Sequence, residues 1–63
     1  MKLFWNPKTC KRAEIVSQDG KYAVRLLSQT HEGLFYEEGE FVVEGKFKAD
    51  GIAVSFINNE GAV

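Results

Sequence analysis

Apolar and polar residues alternate along most of this chain with the two-residue period of a half-buried strand, and glycine-containing turns interrupt the alternation. Closing a two-residue loop at Asp19-Gly20 sets Ser17 opposite Tyr22, Ile15 opposite Val24 and Ala13 opposite Leu26 on one face. Val16 then meets Ala23 and Glu14 meets Arg25 on the other. The facing residues agree in chemistry, and the Glu14/Arg25 pair is expected to be a cross-strand ion pair worth from a few tenths to about 1 kcal/mol.

The same construction at Asp50-Gly51 pairs Ala49 with Ile52, Phe47 with Val54 and Gly45 with Phe56, leaving Lys46 and Lys48 on the wet face. From Phe41 to Ala49 the odd positions are apolar or glycine, so this region predicts one long strand bent at Gly45. A third loop at Glu38-Gly39 pairs Tyr36 with Phe41 and Leu34 with Val43, although it also opposes Glu37 and Glu40. Residues 2 to 6 predict a first strand. Asn6-Pro7-Lys8-Thr9 reads as a loop, because proline forces its predecessor extended and cannot serve a central strand. Gln29 to Gly33 reads as the connection between the third and fourth strands, and Asn58 to Val63 as a frayed, flexible tail. All six glycines follow an acid, which reinforces the reading of repeated turns. No segment shows helical periodicity long enough to compete.

The expected fold is therefore a single all-β domain over residues 1–63: an antiparallel meander of five to six short strands curled into an SH3-like barrel, with an OB-like barrel as the alternative. Sixty-three residues leave no room for a second domain and support only a marginal core. With one cysteine, Cys10, no internal disulfide reinforces that core. A reducing, cytoplasmic location is the natural expectation. Nothing in the opening residues has the length of a signal peptide or a membrane span.

Eight basic and nine acidic side chains give a formal charge of −1, which removes the cationic excess that drives non-specific nucleic-acid binding. His31, the sole histidine, lies in a polar loop with no nucleophile to serve. Cys10 has Lys8, Lys11 and Arg12 nearby, but a lone thiol beside cations is expected to be incidental. One histidine and one cysteine do not make a closed zinc site, and the glutamates lack calcium-loop spacing. The glycines neither open a helix nor precede a Lys-Ser signature, so they cradle no phosphate. The chain is expected to be non-enzymatic, with no metal, cofactor, membrane or small-molecule substrate.

Two binding modes remain. Once the hairpins are closed, the outer face carries Val16, Ala23, Leu27, Phe35, Val42 and Ile57, which the core face does not use. The expected protein-binding surface is Val16, Ala23, Arg25, Phe35 and Val42, with a protein partner or a second copy as occupant and regulation or inhibition as the use. The alternative is a stacking platform for single-stranded nucleic acid built from Phe4, Trp5, Lys8, Lys11 and Arg12, with Lys46 and Lys48 as a second cationic strip. That opening, with its Lys, Phe, Trp and Asn, resembles the Lys-Trp-Phe-Asn start of cold-shock domains, a family of OB-fold nucleic-acid binders. The resemblance ends there: where those proteins carry a glycine-aromatic stacking strand, this chain reads Ala13-Glu14-Ile15-Val16-Ser17.

Overall fold

The computed structural model describes residues 1–59. Four strands, β1 (Lys2–Asn6), β2 (Lys11–Gln18), β3 (Lys21–Gln29) and β4 (Phe35–Val43), are followed by one helix, α1 (Lys46–Ile57). The strands form one open antiparallel sheet in the order β1-β2-β3-β4, so β1 and β4 are edges.

The β2–β3 hairpin has the register read from the sequence, with Ile15 facing Val24, Ala13 facing Leu26 and Val16 facing Ala23. Its turn needs left-handed backbone at both loop positions, supplied by Asp19 at φ 54° and Gly20 at φ 77°. Gly33, at φ 93°, plays a similar part in the β3–β4 connection.

The other two acid-glycine pairs expected to turn the chain do something else. Glu38-Gly39 lies inside β4, at a bulge where Gly39 faces Leu26 and Glu37 faces Leu27. The extra residue, Glu38, accepts a hydrogen bond from the half-enclosed Ser28 hydroxyl, so the bulge gives a buried polar group its partner. Because β4 stays continuous, Tyr36 does not pair with Phe41, nor Leu34 with Val43. Asp50-Gly51 lies in the middle of α1, and Gly45 precedes the helix as its N-cap rather than bending a strand.

These differences correct the expected architecture: the fold is mainly β, with four strands in one open sheet plus a helix, and it is neither an SH3-like nor an OB-like barrel. The helix wins over the hairpin because Ala49, Ile52, Ala53, Phe56 and Ile57 fall at i, i+3, i+4, i+7 and i+8, a stripe that one sheet face can bury whole. Ala49, Ala53 and Ile57 pack with Ala13, Ile15, Val24 and Leu26 to form the core, and Phe4, Tyr22 and Val43 close its margins.

β1 and the residues just after it hold α1 at its middle and at its C-terminal end. Lys2 pairs with Asp50 at 3.2 Å. At the C-terminal end the Asn6 amide donates to the Ile57 carbonyl at 3.0 Å and to Asn58 Oδ1 at 2.9 Å, and the Thr9 hydroxyl donates to the same Ile57 carbonyl at 2.6 Å. Lys11 Nζ donates to the Asn59 carbonyl at 2.8 Å. These bonds satisfy carbonyls that a helix C-terminus leaves without partners. Asn58 and Asn59 are therefore tied to the body, and the remainder of the expected tail, residues 60–63, lies outside the described residues.

Two glycine substitutions check the helix against the hairpin. Nothing lies within 4 Å of a Cβ built on Gly51, so Gly51→Ala should raise unfolding stability by about 0.5–1 kcal/mol, the ordinary helix-interior gain. Gly20→Ala has equal space but a left-handed backbone, and should lower stability by about 1 kcal/mol. Urea denaturation of both variants reads the contrast; a destabilised Gly51→Ala would contradict the helix.

Candidate functional site

A helix covers one face of the sheet only, so alternation leaves the other face to solvent. β1 contributes Leu3 and Trp5 to this open face, β2 Arg12, Glu14 and Val16, β3 Ala23, Arg25 and Leu27, and β4 Phe35, Glu37, Glu40 and Val42. Val42 is 64% exposed, Leu3 56%, Trp5 46%, Val16 43% and Phe35 39%, whereas Leu27 is buried.

The five residues expected to bind protein, Val16, Ala23, Arg25, Phe35 and Val42, do share this face, and Ala23 and Val42 are cross-strand partners. Val16, Ala23 and Arg25 line a shallow depression with Glu14, Gln18 and Glu37. Of the two other apolar residues expected outside, Leu27 is on this face but buried, and Ile57 is not on it. Leu27 lies in the row between Trp5 and Glu37, and Ile57 belongs to the helix and the core.

Sequence reading missed how the edges close over the centre. Trp5 from β1 and Phe35 from β4 meet edge to face, with centroids 5.8 Å apart and planes at 74°. They arch over the row that holds Arg12 and Leu27, and the Arg12 guanidinium lies 5.3 Å from the Phe35 centroid. These two aromatics are 30 positions apart in sequence, so only the sheet order brings them together.

Beside the aromatics runs an ion lattice. Glu14 forms ion pairs with Arg12 at 2.9 Å and with Arg25 at 3.6 Å, and Arg25 Nε donates to Glu37 at 3.0 Å. The predicted Glu14/Arg25 pair is thus present within a larger set. The Glu37 hydrogen bond and charge, then Glu14 and Glu40, hold the exposed Arg25 guanidinium above its ordinary pKa. A raised cation favours the fold at every pH below its unfolded value, so this lattice contributes no pH dependence from the arginine side in the neutral range. Lys21 also alternates onto this face, which then carries Arg12, Lys21 and Arg25 against Glu14, Glu37 and Glu40. The face is electrically balanced.

The residues of the nucleic-acid alternative are dispersed. Trp5 and Arg12 lie on the open face, whereas Phe4 packs at the core margin. Lys11 lies over Phe56 on the helix side. Lys8 sits in the β1–β2 turn, and Lys46 and Lys48 are in the first turn of α1. Cys10 and His31 come to one depression at the end of the sheet, lined also by Thr9, Thr30, Glu32 and Tyr36, and the thiol lies 3.7 Å from the Pro7 carbonyl. Among the described residues no group of three or more His, Cys, Asp or Glu converges in a way that could hold a metal ion, and no helix is long and apolar enough to cross a membrane. No protein-family model, curated protein or solved structure matches this chain.

The aromatic arch has a measurable signature. Trp5→Ala and Phe35→Ala should each destabilise the fold, and the double variant should cost less than their sum by about 0.5–1.5 kcal/mol, the coupling of an edge-to-face pair. A thermodynamic cycle from chemical denaturation checks this, and strict additivity would mean that the two rings act independently.

Proposed function

We propose that this protein is a non-enzymatic interaction module of the cytoplasm that works by occupying a surface, and that its open sheet face is that surface. The observation that carries the reading is the apolar face itself: Leu3, Trp5, Val16, Phe35 and Val42 stand exposed on one plane, opposite a core in which three of the eight buried apolar residues are alanine. A small domain with so thin a core gains stability by burying apolar surface elsewhere, and this plane is where such surface is available.

A second copy of the chain is the occupant that the charge pattern favours. A balanced face of three cations and three anions offers neither sign to a strongly charged partner, and two such faces meet without net repulsion. Four strands at about 4.8 Å spacing present roughly 500 Å² in plan, so two copies would bury on the order of 1,000 Å², near the lower limit of a specific interface. Association would be a moderate, reversible equilibrium in which the helices lie outside and the sheets meet inside. A regulatory or inhibitory module is the use that fits steric, concentration-dependent action.

Single-stranded nucleic acid is the second reading, and the half-exposed Trp5 beside Phe35 and Arg12 is what favours it. Glu14, Glu37 and Glu40 on the same face weigh against it, since each repels phosphate.

Sedimentation equilibrium at about 1 M salt, where the Debye length is about 3 Å, isolates the apolar term. The native chain should show a concentration-dependent dimer, and Val16→Asp should shift it to monomer with the fold intact by circular dichroism. A native chain that stays monomeric at millimolar concentration, yet binds an oligonucleotide at low salt, would replace the first reading with the second.

A further inference from the structure

The two edges of the sheet carry opposite charge. β1 and its turn hold Lys2, which is paired with Asp50, and Lys8, with no acid, and Lys11 and Arg12 follow at the start of β2. Residues 32 to 44, which include β4, hold Glu32, Glu37, Glu38, Glu40 and Glu44 and no lysine or arginine. Because the strand order is β1-β2-β3-β4, these segments stand at opposite ends of the sheet.

Both edges offer backbone groups for pairing. β4 is nine residues long and bonds only to β3, while β1 bonds only to β2. The helix leaves Tyr36 and Phe41 half exposed on its own side of β4, and Phe35 and Val42 are exposed on the other. A long, apolar edge strand invites a partner strand unless charge opposes the approach.

Here the charge is selective. Two β4 edges would bring glutamates against glutamates, and two β1 edges would bring cations against cations, so both symmetric pairings are disfavoured. A β4 edge meeting a β1 edge is attractive. The strand directions also fit: successive strands alternate, so a copy translated across the sheet presents its β1 antiparallel to the β4 of its neighbour. The helices then stay on one side, and Leu3 and Trp5 of one copy lie on the same face as Phe35 and Val42 of the next.

We propose that β4 of one molecule pairs with β1 of a second molecule, giving a head-to-tail, salt-sensitive assembly of like-oriented copies. Such a contact is heterologous and does not close at two, so it grows into open chains or rings. It is independent of the face-to-face dimer, which high salt preserves.

Sedimentation velocity with reductant present, so that exposed Cys10 does not cross-link, at about 0.01 M and about 1 M salt compares Debye lengths of about 30 Å and about 3 Å. Val16→Asp serves as the background, because it removes the sheet-face contact without altering either edge. In that background, species larger than a dimer are expected at low salt and are lost at high salt. Glu40→Lys with Glu44→Lys, and separately Lys8→Glu with Lys11→Glu, should each abolish assembly; mixing the two charge-reversed chains should restore it, as an assembly in which the two variants alternate. Assembly that survives either charge reversal, or a Val16→Asp chain that stays monomeric at low salt, overturns the proposal. Failure of a mixture of folded variants to associate also overturns it.

Discussion

The packing of one alanine-rich helical stripe against one sheet face is the constraint on which this molecule depends. Ala49 and Ala53 bring the α1 backbone close to Ala13 and Val24, and Val24 is the largest side chain shielded completely. Close approach of small residues makes a dense but shallow core. Little in the local sequence supports the helix: no side chain caps its N-terminus, its first turn carries no acid, and Lys46 and Lys48 stand where the helix dipole favours negative charge. Gly51 adds a further cost in the interior. Tertiary burial, and the clamps from Lys2, Asn6 and Thr9, therefore hold α1 in place.

One helix of twelve residues covers one face of a four-stranded sheet and no more. Everything distinctive about the surface follows from that limit. The uncovered face is organised rather than random: aromatics from the two edge strands arch over its centre, and charges beside them cancel in a shared lattice centred on Glu14 and Arg25. The edges stay unpaired because the sheet is open, and their charges segregate because the cations cluster before residue 14 and the acids cluster after residue 31.

The sequence made the β2–β3 hairpin legible to the residue, because Asp19-Gly20 is a true two-residue turn and its flanking pairs match on both faces. The same logic failed at Asp50-Gly51. There the apolar set 47, 49, 52, 54 and 56 satisfies a two-residue period, while 49, 52, 53, 56 and 57 satisfies a helical one, and the stretch alone does not choose between them. Phe47, 87% exposed on the helix, is the residue that made the strand pattern persuasive. At Glu38-Gly39 a bulge took the place of a turn, since the strand gains more by running on beside β3 and giving Ser28 its partner. The open-face residues Val16, Ala23, Arg25, Phe35 and Val42 were legible because alternation alone fixes their side of the sheet. The contact between Trp5 and Phe35 was not, because it depends on strand order.

The central claim is that the open sheet face buries itself against a second copy, and Trp5 reports on it directly, being the only tryptophan in the chain and half exposed at the heart of that face. Its fluorescence emission should be recorded against protein concentration from micromolar to millimolar at about 1 M salt, where charge-driven contacts are screened. The account predicts a progressive blue shift as the indole leaves water. An emission maximum that stays fixed across the range while the protein remains folded would contradict it.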